Sequence, residues 1–270
     1  MPIKEFVLPK DIPLDIYPKP EVFLTEGKRI AEEAQKLGIH MRVMGPIALH
    51  YYFPDQIDLY AALERLADRY FTDIDFASYD KTRGKVVKFM KEMGYECEPQ
   101  TLMMSGKTRH IYYGGAVPMI DVFFDKLDYC HPIHYKDRLH QDPWSVTLAD
   151  ILLQKLQIWE INDKDLKDIE YLLTAAEIGE DDERKINQAY VARRFADDWG
   201  FYHTATTNLG RVKAHVETVK VFTDAQKQKI KDRCDQFLER IEAEPKTRGW
   251  QKRAKKGTAK PWYNTNFSDW

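Results

Sequence analysis

Residues 72–79 read TDIDFASY. Ile74, Phe76 and Ser78 alternate there with Asp73, Asp75, Ala77 and Tyr79, which is the two-residue period of a β-strand. Asp73 and Asp75 therefore share a face. Upstream, Val22, Ile30, Ala34 and Leu37 keep a helical period over residues 21–37, Gly38 stops it, and IHMRVM (39–44) reads as a strand. Gly45 and Pro46 end that strand. Proline favours the first turn of a helix, so PIALHYYF (46–53) opens one, with its free backbone N–H groups near Gly45. A second helix is predicted over about residues 57–70. Downstream, TRGKVVKFMKEMG (82–94) reads as a helix, and QTLMMS (100–105), TRHIYYG (108–114) and VPMIDVFFDKL (117–127) read as strands.

After Pro143 the pattern is helical. WSVTLADILLQKLQIWEI (144–161), KDLKDIEYLLTAAEI (164–178), DERKINQAYVARRFADDWG (182–200) and TDAQKQKIKDRCDQFLERIEA (223–243) all read as helices, and no stretch there reads as a strand. The expected class is α+β: an N-terminal mixed sheet flanked by helices over residues 1–145, then an all-helical domain over 146–244, then a tail over 245–270. Within the first part, prolines at 2, 9, 13, 18 and 20 make residues 1–20 an extended arm lying on a surface.

Lys and Arg number 41 against 43 Asp and Glu in 270 residues, a formal charge of -2. That balance gives no overall pull toward nucleic acid, membrane or an acidic substrate, so any electrostatic specialisation is local. Cys97, Cys130 and Cys234 are odd in number and far apart, which argues for a reducing compartment over a disulfide framework. No stretch approaches the roughly 20 apolar residues of a membrane span, and the N-terminus lacks a signal-peptide core. The chain is read as soluble and cytoplasmic, with no membrane partner.

Two carboxylates at i and i+2 of a strand, joined by Asp121 from a neighbouring strand, can form an all-oxygen cage suited to Mg²⁺ or Mn²⁺. Gathering three carboxylates costs repulsion and desolvation, which a divalent cation bridged by substrate phosphates relieves. Phosphoryl-type transfer is the chemistry that needs such a cage. Taken alone the D-x-D pair is also what a solvated surface or turn presents.

The order VMGPIALHYY (43–52), TDIDFAS (72–78), MIDVFF (119–124) resembles the DNA-polymerase-beta-like nucleotidyltransferase superfamily, whose pattern is an apolar residue with Gly-Gly/Ser, then D-x-D, then a third acidic residue. The resemblance is closest to the bacterial abortive-infection and minimal nucleotidyltransferase toxin branch, because it continues into LADILLQKLQIWEINDKDLKDIEYLL (148–173), which looks like that branch's lysine helix and K-D-x-x-D helix. It implies Asp73 and Asp75 as metal ligands and Asp121 as the carboxylate that helps activate an attacking hydroxyl. It also implies Gly45 in the phosphate-approaching turn, with Arg69, Lys155 and Asp165 at the nucleotide. The reaction implied is Mg²⁺-dependent transfer of a nucleoside monophosphate from an NTP to a hydroxyl of RNA or tRNA, a protein or a small molecule. A toxin role would bring an antitoxin protein as partner. Pro46 and Phe71 depart from the pattern, since the family has Gly or Ser and Thr there. Proline offers a triphosphate neither hydroxyl nor N–H, which favours the alternative of a catalytically degenerate module for nucleotide or protein binding.

Other features carry two readings each. Lys155 falls in the middle of the apolar stripe Leu148, Ile151, Leu152, Leu156 and Trp159, where it either snorkels or aims a fixed charge at a ligand. Asp165 and Asp168 share a helix face, as acidic residues near a helix start often do. Cys130, His131, His134 and His140 have spacings a zinc site can use, yet they lack a second ligand pair and read better as a polar loop. His50 reads as a structural histidine. The tail holds Lys246, Arg248, Lys252, Arg253, Lys255, Lys256 and Lys260 with no acid among them, then Trp262, Tyr263, Phe267 and Trp270. It is either a solvated end or a surface for single-stranded RNA.

Overall fold

The computed structural model describes residues 6–66 and 68–265. The compact units do not follow a single cut near residue 145: one comprises residues 1–54, 66–127 and 134–146, the other 55–65, 128–133 and 147–270. Among the described residues no helix is long and apolar enough to cross a membrane. The chain is α+β.

The first unit is built on a five-stranded mixed sheet of order β1-β2-β5-β4-β3, from β1 (Met41–Val43), β2 (Ile74–Ser78), β3 (Glu96–Cys97), β4 (Arg109–Tyr113) and β5 (Ile120–Phe124). β2 and β5 are parallel and central, and all five residues of β5 are buried. Strands covered on both faces read as near-continuous apolar runs, which is why MIDVFF makes its one polar residue conspicuous. The other pairings are antiparallel. The helices Pro20–Lys36 and Gly45–Tyr52 both begin on a proline turn, and Gly38 follows the first at a φ of 69°.

QTLMMS is a helix, not the expected strand. Glu98 caps Pro99–Ser105 by accepting from the amides of Gln100 and Thr101, and Leu102, Met103 and Met104 stand 43%, 82% and 77% exposed. An apolar run of good helix formers behind a cap and a proline outweighs strand propensity. The predicted 57–70 helix stops at Ala62, where Glu64 takes a φ of 45°. The N-terminal arm holds a 3-10 turn at Pro9–Asp11, and Tyr17 ties it down by donating to the carbonyls of Phe71 and Thr72 at 3.1 and 3.2 Å.

The second unit contains the helices Ile57–Ala62, Leu148–Leu156, Asp163–Ala175, Gln188–Asp197, Trp199–His215, Asp224–Ala243 and Arg248–Ala254. It is not purely helical: Glu177–Gly179 and Lys185–Asn187 pair in parallel within segments whose apolar spacing read as helix ends. Three-residue strands are too short to show a period of their own. The Trp199–His215 helix also escapes periodicity, because its buried face includes Thr204 and Asn208, both 0% exposed. Asn208 has a defined task there, donating to the carbonyls of Leu156 and Ile158 at 3.1 and 2.7 Å and so completing the end of the 148–156 helix.

Within this unit His215 bridges two carboxylates, Nδ1 to Glu170 Oε1 at 2.7 Å and Nε2 to Asp163 Oδ1 at 3.0 Å. Burial pushes Glu170 up to about 7, even with the imidazole against it. Burial lowers His215, but the hydrogen bond and charge of Glu170 outweigh that and raise it. Both groups bind protons more tightly folded than unfolded, so stability falls with rising pH. The Glu170 contribution is full below about pH 4.3 and is lost as pH climbs through about 7. That of His215 is full below about pH 6.5 and lost above its raised folded value. Asp163 is lowered, chiefly by Lys167, and its contribution disappears only in acid. The stabilisation that this pair supplies is therefore expected to fall between about pH 5 and 8, against lowered histidines such as His131 whose contribution runs the other way. It is read as the difference in melting temperature between wild type and Glu170→Gln, which should change in favour of the variant across that range; a difference independent of pH would refute the assignment.

Candidate metal centre

The register of β2 on β5 sets Asp75 opposite Asp121. Parallel strands paired in that way turn facing side chains to the same side of the sheet, and Asp73 is two residues back from Asp75 on the same alternation. One ligand atom from each of Asp73, Asp75 and Asp121 lies within 4.8 Å of the others, and among the described residues no other group of three His, Cys, Asp or Glu side chains does this. Asp73 and Asp75 are half-buried and Asp121 is 3% exposed. Thr72 Oγ1 donates to Asp73 Oδ1 at 2.9 Å.

Gly45 sits beside the trio. A side chain there would place its Cβ 4.0 Å from Asp75 Oδ2, and the Met44 amide donates to the Asp75 carbonyl at 2.8 Å. Gly45 has a φ of 60°, the left-handed region that a side chain makes costly, and it opens the 45–52 helix. A helix start presents unpaired amides and the positive end of the dipole, of which Pro46 removes one donor. His50 is structural: its ring nitrogens meet the Pro46 carbonyl at 2.7 Å and Tyr70 Oη at 2.9 Å.

Asp121 carries a partner that the sequence reading missed. Arg109 Nε and Nη2 donate to its two oxygens at 3.0 and 2.7 Å, and the Arg109 side chain is only 16% exposed. The signal was present in TRHIYYG, where Arg109 and Ile111 share a strand face. Only the register, Ile111 opposite Asp121, shows which carboxylate the arginine meets. Burial raises the pKa of Asp121 and the Arg109 guanidinium opposes it, the net direction being upward.

The remaining residues named by the resemblance have protein partners of their own. Arg69 holds the N-terminal arm: its guanidinium pairs with Asp68, donates to the carbonyls of Lys10 and Ile12 at 3.3 and 2.8 Å, and stacks 4.8 Å from the Tyr17 ring. Lys155 and Asp165 belong to the second unit, in a cluster of their own. Lys155 Nζ pairs with Asp165 at 2.7 Å and Asp168 at 2.8 Å, and Asp168 also takes Arg65 at 2.8 Å and the Tyr60 hydroxyl at 2.8 Å. Burial alone would lower Lys155 and raise Asp168, but the opposite charges prevail and both shift the other way.

No protein-family model matches the chain, and no curated protein matches it. Among solved structures it is similar to the solution structure of an antibiotic-resistance factor, ANT(2'')-Ia, described as showing substrate-regulated conformation dynamics. Identity is 13% over 68% of this chain and 96% of that one, with a TM-score of 0.35. A likeness this slight carries no weight for the chemistry, which rests on the side chains.

The cysteine and histidine cluster does not converge as a metal site. His131 is buried, stacks on Phe201 with centroids 5.1 Å apart and meets Thr204 Oγ1 at 2.8 Å, and burial lowers its pKa to about 4. The Cys130 thiol accepts the Trp159 amide at 3.4 Å. The tail is folded as far as it is described; Phe267 and Trp270 lie outside the described residues. Arg253 donates to the carbonyls of Gly257, Lys260 and Pro261 at 2.8, 3.0 and 3.1 Å, and Lys246 donates to those of Ile241, Glu242 and Glu244. Trp262 meets Trp159 edge-on at 4.8 Å, and its carbonyl occupies the space a side chain on Gly200 would need.

Proposed function

We propose that this chain is a divalent-cation-dependent nucleotidyltransferase. The observation that carries the reading is the convergence of Asp73, Asp75 and Asp121 within 4.8 Å beside the glycine that opens the 45–52 helix. The donor set fits the cation: three carboxylates and no sulfur or imidazole suit a hard ion, Mg²⁺ or Mn²⁺. Asp73, Asp75 and Asp121 would hold it. When bound, such an ion neutralises phosphate charge and orients an NTP for attack. Asp121, buried and paired with Arg109, accepts the proton of the acceptor hydroxyl. The helix start at Gly45 offers its amides to phosphate oxygens, with one fewer donor than a helix lacking Pro46. The test is incubation with each labelled NTP, Mg²⁺ or Mn²⁺, and total RNA or cell extract. Label transfer dependent on the metal supports the enzyme, whereas metal-dependent NTP binding without transfer would identify a binding module instead.

An RNA acceptor is the reading the tail favours. Of its seven basic residues Lys246 donates to carbonyls at the end of the 224–243 helix and Arg253 to carbonyls within the tail, while Arg248, Lys252, Lys255, Lys256 and Lys260 are exposed with no acid between them. The first three follow an i, i+4, i+7 spacing, which shares one face of the 248–254 helix and its end. Trp262 is engaged by other rings, so phosphate contact rather than base stacking is the expected mode. Replacing the five exposed cations by glutamine should weaken RNA binding. It should also reduce the slope of log K against log salt by about 0.7 for each single-strand phosphate that is no longer neutralised. An unchanged slope would exclude the tail.

A further inference from the structure

We propose that Arg109 is the built-in counter-ion of the carboxylate trio: a positioning residue that fixes Asp121 toward Asp73 and Asp75 and tempers the trio's grip on a divalent cation. The inference rests on the metal-centre reading above and assigns a role to a residue outside the trio. Arg109 lies opposite Phe123 on the antiparallel β4–β5 ladder, so it is the diagonal neighbour of Asp121 on the same face of the sheet. From there its planar head lies 5.3 Å from the Phe123 ring and reaches both Asp121 oxygens in a two-pronged bond that fixes the carboxylate plane. Each carboxylate oxygen has a second acceptor direction, so Asp121 can be held by Arg109 and still face a cation.

Charge gives the arrangement its purpose. The Arg109 guanidinium, paired with Asp121, offsets one of the three carboxylate charges. Without Arg109 the three carboxylates would repel one another in a setting where Asp121 is almost sealed from water. The same positive charge repels an arriving metal. Arg109 therefore keeps the metal-free site assembled at the cost of some cation affinity, and the two effects separate by substitution.

The experiment is Mn²⁺ titration of the purified full chain, with steady-state label transfer measured alongside, for Arg109→Gln and Arg109→Lys. Arg109→Gln should bind Mn²⁺ roughly tenfold more tightly, because a nearby positive charge is gone. Its kcat should fall, because Asp121 is no longer fixed. Arg109→Lys keeps the charge and loses the two-pronged bond, so its Mn²⁺ affinity should stay within about threefold of wild type while kcat still falls. A merely structural arginine would give the opposite sign, with weaker Mn²⁺ binding in Arg109→Gln. That result, or a wild-type kcat in Arg109→Lys, would overturn the proposal. If Arg109→Gln does not fold, the lysine variant alone decides, through a loss of kcat at preserved affinity. Wild-type protein that bound Mn²⁺ but transferred no label would overturn the nucleotidyl reading and leave the counter-ion role to the affinity measurements.

Discussion

Asp73→Ala/Asp75→Ala is expected to abolish metal-dependent label transfer while leaving the metal-free protein as stable as wild type or more so. A bound cation supplies several kcal/mol of charge stabilisation in reactions of this class, and each 1.4 kcal/mol or so is a factor of ten, so the loss should be on the order of 10³-fold or greater. The stability prediction follows from the same geometry. Asp73 and Asp75 sit within 4.8 Å of a third carboxylate, so removing them relieves a repulsion that offsets lost hydrogen bonds such as that from Thr72, and the core is not emptied, since both are half-buried. Added Mn²⁺ should raise the melting temperature of wild type, because a ligand that binds only the folded chain stabilises it in proportion to log concentration above Kd. The double variant should show no such rise. A variant that still transferred label, or still gained stability from Mn²⁺, would place the metal elsewhere.

What was legible in the sequence follows from how far each signal reaches. Alternation over residues 72–79 and the polar interruption of MIDVFF are local, and they exposed β2, β5 and the three aspartates directly. The pairing that sets Asp75 against Asp121 is a register, which a strand does not carry within itself. The pairing of Arg109 with Asp121 is not legible for that reason: TRHIYYG shows a strand with a charge on one face, and nothing in it says that Asp121 lies diagonally across. QTLMMS failed differently. Its apolar run has a strand's composition, whereas the Glu98 cap and Pro99 set a helix, and the exposure of Met103 and Met104 shows that the run serves no core. The Trp199–His215 helix was missed because its buried positions include Thr204 and Asn208, where hydrogen bonding replaces apolar packing. Arg69 stands before the D-x-D pair, where the resemblance implies a nucleotide contact, and it also meets the Ile12 carbonyl 57 residues earlier in the chain, a contact that no local pattern carries.

Lys155→Met is expected to destabilise the second unit by about 3–5 kcal/mol, the range found when one partner of a buried ion pair is removed. The apolar stripe around Lys155 would welcome methionine, so the loss measures charge and not volume. In wild type, Lys155 and Arg65 balance Asp165 and Asp168, with side chains 12%, 11%, 5% and 0% exposed. Removing the lysine leaves Asp168 its Arg65 and Tyr60 partners but strips Asp165 of its ammonium. Adding Asp165→Asn to Lys155→Met restores neutrality, with Arg65 against Asp168, and should recover most of the loss. A double-mutant cycle in denaturant reads this coupling directly. A single-variant cost under about 1 kcal/mol would mean that water reaches the cluster and screens it as at a surface. The stability-restored double variant then separates the two readings of Lys155 that the sequence left open. Its ammonium is already engaged by two carboxylates at 2.7 and 2.8 Å, so label transfer should survive within a few-fold in the double variant. Transfer abolished at wild-type stability would instead require that the amine leave its carboxylates to meet the nucleotide.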